Sequence, residues 1–174
     1  MKEKNTSVTF RFPTKEYNTL KKIAKNEKIS LNTLVNHITS RFLEWDMIVQ
    51  KSGWIIFHKN IMKEILQCVD DDKLTEIAEH AAEYLKDLTL LMSGTTDLES
   101  CLEMLRNKTM NSGFVIIESE HENNRRMVFQ HDMGRKWSSF YKTNYERMLV
   151  DLGHPVKCEI TNNTLVLDIF PDGV

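Results

Sequence analysis

The chain has 174 residues, 41% of them hydrophobic and 28% charged, which is enough apolar material for a buried core and excludes wholesale disorder. Its formal net charge of −2 conceals two opposite parts: residues 1–45 carry nine Lys/Arg against four Asp/Glu, a net of +5, which leaves −7 for residues 46–174. The basic end is therefore the expected polyanion-binding end.

No apolar run reaches the ~18 residues that cross a bilayer, and no signal-peptide-like apolar stretch stands near the start. A soluble, cytoplasmic protein with no membrane contact is expected. Cys68, Cys101 and Cys158 are too scattered for a disulfide framework or a zinc site and read as buried, reduced thiols.

Residues 7–13 read Ser-Val-Thr-Phe-Arg-Phe-Pro. Strand side chains alternate with period two, so Val8, Phe10 and Phe12 would face one side of a strand and Ser7, Thr9 and Arg11 the other. A lone six-residue strand leaves its backbone unpaired, and the same strand from a second copy is the simplest partner, so the pattern predicts a homodimer. Pro13 suits a helix start. The helix then runs to about residue 26, with Tyr17, Leu20, Ile23 and Ala24 on one face and Lys15, Lys21, Lys22 and Lys25 on the remainder. After a break over 27–29, Ser30 is a good N-cap for a second helix with the apolar stripe Leu31, Leu34, Val35, Ile38, Phe42 and Trp45. His37 reads as packed or interfacial rather than a ligand. Forty-five residues can hardly build a core alone, so two copies are expected to interlock through strand 7–12 and helix 30–45.

The succession of strand 7–12, Pro13, helix, turn and Ser30-Leu31-Asn32-Thr33 resembles the ribbon-helix-helix repressors of the Arc/MetJ class, over roughly the first 45 residues. The resemblance implies that paired strands lie in the DNA major groove, with Ser7, Thr9 and Arg11 contacting bases. Arg11 would be the strongest reader, because a guanidinium can bond guanine O6 and N7 together. It also implies a phosphate on Ser30, Leu31 and Asn32, where free N–H groups and the helix dipole favour an anion. Lys2 and Lys4 would reach flanking phosphates. The family often carries glycine in the turn where Lys28 stands here, so a left-handed residue at that point would be strained.

Beyond residue 53 the pattern predicts a second domain, 54–174, after a first of 1–50. Residues 54–57 fit a short strand, and helices follow over about 61–68, 74–92 and 98–105. The middle one carries the stripe Leu74, Ile77, Ala81, Leu85 and Leu88, and Thr96 or Asp97 caps the last. Residues 114–118 and 126–131 read as a hairpin. Asp132 is expected to cap a helix with the stripe Met133, Trp137, Phe140, Tyr141, Met148 and Leu152, and 156–160 and 164–170 are two further strands. The whole is an α+β protein whose second domain has a mostly antiparallel sheet with packed helices.

No phosphate-cradling glycine loop, helical His pair or nucleophile elbow occurs, so no catalytic residue, metal or cofactor is assigned and an enzyme is not expected. His131 beside Asp132, and the cations Arg135 and Lys136 at a helix start, are explained by capping and solvation. The composite expectation is a homodimeric, sequence-specific regulator of transcription, a repressor that binds double-stranded DNA, with residues 54–174 serving an effector, oligomerisation or a protein partner. The alternative is an antitoxin-like or scaffold protein whose first module dimerises and whose second binds a protein.

Overall fold

The computed structural model describes residues 6–121 and 124–170, in two compact units, Met1–Met47 and Ile48–Val174. Lys2 and Lys4 lie outside the described residues. In the first unit, residues 6–12 carry no regular secondary structure, and α1 (Thr14–Asn26), α2 (Leu31–Arg41) and a π-helical turn, Phe42–Asp46, follow. A three-residue α3 (Met47–Val49) comes next in the chain.

The strand expected over 7–12 is thus absent, and the resemblance to ribbon-helix-helix repressors is overturned with it: six helices come first, and only then a sheet. Alternating side chains make a strand possible, but a strand exists only where a neighbouring ladder takes up its N–H and C=O groups, and the described part of this unit offers none. Val8, Phe10 and Phe12 are accordingly 67%, 63% and 41% exposed.

The helices of this unit follow local rules. Pro13 sits at the cap position just before α1 rather than inside it (φ −55°, ψ 142°) and gives no side-chain cap. At the other end Ile29 N–H reaches the Ala24 carbonyl at 3.0 Å and Lys28 N–H the Lys25 carbonyl at 3.2 Å, the two-bond Schellman closure. Lys28 takes the left-handed conformation this closure requires (φ 57°), at a position usually held by glycine.

The second unit contains α4 (Lys59–Cys68), α5 (Asp71–Ser93), α6 (Leu98–Asn111), β1 (Val115–His121), β2 (Asn124–Gln130), α7 (Arg135–Asp151), β3 (Val156–Ile160) and β4 (Thr164–Ile169). The sheet is wholly antiparallel, in the order β1-β2-β4-β3. Two hairpins therefore meet through their inner strands, and α7 carries the chain from one to the other. The register places Glu118, Met127, Leu167 and Cys158 in one cross-strand row and Ile116, Phe129, Leu165 and Ile160 in the next. Met127, Phe129, Leu165, Leu167 and Ile169 join Leu102, Leu105, Met148 and Leu149 in one core, each buried aliphatic side chain stabilising the fold by about 1.5–3 kcal/mol.

Several expected details are corrected here. Residues 54–57 form no strand, and Ile55 and Ile56 are exposed. Helix α5 starts three residues before Leu74, because the Asp70 carboxylate accepts from Lys73 N–H at 2.8 Å. Its buried stripe is Leu74, Ala78, Ala82, Leu85 and Leu88, leaving Ile77 exposed. Asp97, not Thr96, caps α6. Asp132 caps nothing: α7 starts after Gly134, which sits at φ 87°, while Asp132 accepts from Lys59 Nζ at 2.5 Å. Cys101 is buried, but Cys68 is exposed. No helix among the described residues is long and apolar enough to cross a membrane.

Candidate nucleic-acid interface

The first unit buries little. Among its described residues only Ala24, Leu34 and Trp45 are buried. Phe10, Phe12, Leu20, Val35, Ile38 and Thr39 line an open hollow of about 340 Å³, with the rings of Phe10 and Phe12 6.3 Å apart. An apolar face this open on so small a unit is a surface that wants covering.

The same unit presents the basic side chains. Lys15, Lys21, Lys22, Lys25 and Lys28 are all exposed, and among the described residues no carboxylate pairs with any of them or with Arg11; the ion pair seen in this unit joins Arg41 to Asp46 at 3.7 Å. Lysines free of carboxylate partners keep their charge available to an external polyanion.

The expected base-contacting residues, Ser7, Thr9 and Arg11, are all exposed on the irregular segment before Pro13. At the start of α2 the Ser30 hydroxyl accepts from Thr33 N–H at 3.0 Å and lies 2.7 Å from the Thr33 hydroxyl. Ser30 is thereby engaged in capping. Leu34 N–H bonds the Ser30 carbonyl, so the N–H groups of Leu31 and Asn32 are the first-turn donors that the helix does not use. They coincide with the positions where an anion was expected, and an N-terminal helix turn attracts one through both its amides and its dipole. The hydroxyl of Thr33 is a participant that the reading of the sequence missed; the Ser-x-x-Thr spacing was its available signal.

In the second unit, Lys136, Gly134, His131 and Asp132 at the start of α7 already have partners within the unit. Lys136 donates to the Val69 carbonyl and lies 3.6 Å from Asp71. Gly134 N–H donates to Asn163 Oδ1 at 3.2 Å. His131 and Asp132 engage different partners, Ser138 and Lys59. Among the described residues, no group of three His, Cys, Asp or Glu side chains is placed to hold a metal ion. No protein-family model matches the chain, and no curated protein matches it either.

Proposed function

We propose that the first unit is a double-stranded DNA-binding and dimerisation module and that the protein is a sequence-specific regulator of transcription, a repressor acting as a homodimer. The observation that carries this reading is the coincidence, on one small unit, of an uncovered apolar hollow and a set of exposed lysines without carboxylate partners. A second copy laid over Phe10, Phe12, Val35 and Ile38 supplies the missing core. The dimer then doubles the basic surface, which raises affinity for a duplex through counterion release. Arg11 contacts bases, with Ser7 and Thr9 beside it; Leu31 and Asn32 take a phosphate on their free amides next to Ser30, and Lys2 and Lys4 add charge.

The test is selection of a randomised duplex pool by the full chain at two salt concentrations, with Arg11→Ala in parallel. Enrichment of a two-fold symmetric site, weakened about tenfold or more in the variant and steeply by salt, is the expected result. No enrichment and no retention at low salt would sink the reading.

A second reading, an antitoxin-like or scaffold protein whose second unit binds a protein, is favoured by one observation. The sheet face away from the core carries Val115 and Ile117, 54% and 51% exposed, on an acidic unit. A stoichiometric protein partner co-purifying equally with wild type and Arg11→Ala would select it.

A further inference from the structure

Lys108, in the last turn of α6, is only 6% exposed. Its Nζ donates to Tyr145 Oη at 2.9 Å and lies 3.7 Å from the centre of the Tyr141 ring, 4.9 Å from that of Tyr145 and 5.9 Å from that of Trp54. Among the described residues, no carboxylate lies within ion-pairing distance. An amine carries up to three N–H groups; here one meets an oxygen and the others face aromatic rings. Ring faces attract a cation by about 0.5–2 kcal/mol, well short of the several kcal/mol that burial of an unpaired ion costs. Burial accordingly pulls this amine well below the usual lysine range.

The amine does not end in solid packing. Lys108 lines a cavity of about 30 Å³ whose walls are mainly aromatic, Phe114, Phe129, Trp137 and Tyr141, with His131 also on the wall and the exposed Ser112 and Gln130 among the lining. At about 10–15 Å³ for one water-sized site, the space holds two or three heavy atoms, the carboxylate head of an acid, whose short tail leads out towards the rim. The walls are largely aromatic, both nitrogens of His131 are engaged by Ser138 and Met133, and the Lys108 amine has no anion beside it. A phosphate, with more acceptor oxygens than a carboxylate, would need more free donors than the Lys108 amine supplies.

We propose that the cavity beside Lys108 is a receptor site for a short-chain monocarboxylate, its carboxylate paired with the Lys108 amine and its tail leading past the aromatic lining to the rim. The acid enters neutral and gives its proton to the neutral amine, so that one ion pair forms inside the site and no net charge is buried. The site lies wholly in the second unit and does not depend on DNA binding.

The experiment titrates full-length protein with sodium propionate and, separately, with the uncharged isostere propionamide, at ionic strength held constant with sodium chloride. Tryptophan fluorescence, to which Trp137 in the cavity wall contributes, and melting temperature are read together. Propionate is expected to give a saturable fluorescence change and a raised melting temperature, while propionamide gives neither; Lys108→Met, its fold checked by circular dichroism, is expected to lose affinity at least about tenfold. Should Lys108→Met not fold, Phe114→Ala serves: by widening the mouth it is expected to shift the preference from propionate towards butyrate. Equal responses to acid and amide, an unsaturable response, or undiminished binding by folded Lys108→Met would overturn the proposal, as would an unchanged chain-length preference in Phe114→Ala.

Discussion

His131 and Ser138 stand 2.9 Å apart, imidazole Nε2 to hydroxyl, and a second contact decides which of them donates. Met133 N–H points at His131 Nδ1 across 3.2 Å, so Nδ1 must offer a lone pair; Nε2 therefore carries the hydrogen and donates to the buried Ser138 oxygen. Protonating Nδ1 would turn the Met133 contact into two facing donors.

Acid destabilisation is the consequence. Burial holds His131 below the ordinary 6.5, against a weaker opposing pull from Asp132, so the unfolded chain binds this proton more readily than the native one. The native state loses stability as pH falls below 6.5 towards the folded value, and gains nothing from this group above 6.5. Urea unfolding of wild type and His131→Gln between pH 7 and pH 5 is expected to show a steeper decline in wild type; parallel curves would refute it.

The buried amine of Lys108 has the same sign in the alkaline range. Its folded value lies well below 10.5, so stability from this group rises with pH towards 10.5, at up to about 1.4 kcal/mol per pH unit. Tyr145 and Tyr141, both raised by burial, act oppositely above pH 10, where the unfolded chain ionises its tyrosines and the native one does not. Between pH 8 and 10, wild type is expected to gain stability relative to Lys108→Met. Denaturant midpoints tracking each other across that range would count against a neutral buried lysine.

Lys28 closes α1 with a left-handed backbone (φ 57°), which costs an L side chain about 1 kcal/mol that glycine does not incur. Lys28→Gly is expected to stabilise the helix closure by about that amount, offset by a few tenths from the looser unfolded chain. A thermal scan in high salt, which suppresses the accompanying charge change, measures it; a lowered melting temperature would contradict the account.

Asn144, 1% exposed on α7, donates to the Ala78 carbonyl of α5 at 3.1 Å, and its Oδ1 has no hydrogen-bond partner among the described residues. Ala78 and Ala82 bring the two helices close at this point. A buried acceptor left unmatched costs about 1–3 kcal/mol, so Asn144→Leu, of similar size, is expected to hold or raise the melting temperature. A large drop would mean that the single hydrogen bond outweighs the unmatched oxygen.

The parts of this fold that were legible in the sequence are those decided locally. Ser30 announces α2 through its hydroxyl, and the alternation over 156–160 and 164–170 corresponds to β3 and β4, because each has a neighbour three residues away around a tight turn. Where the partner is distant, local pattern misled. Residues 7–12 and 54–57 have strand-like composition but no ladder to join. Asp132 looked like a cap, yet Lys59, seventy-three residues away, holds it. Spacing put Trp137 and Tyr141 on one helical stripe but gave no sign that Lys108 joins them, since α6 and α7 bring Lys108 and Tyr145 together across 37 residues of chain.

The inner ladder of the sheet has a bearing on how the molecule assembles. Each hairpin closes over a handful of residues, whereas the pairing of β2 with β4, from Arg125 opposite Ile169 to Gln130 opposite Thr164, spans 34–44 positions and requires α7 to have turned the chain back first. Local hairpins zip within microseconds, while contacts of long sequence separation must first overcome loop-closure entropy. The seam between the two hairpins, and not either hairpin, is thus expected to be the last part of the sheet to form.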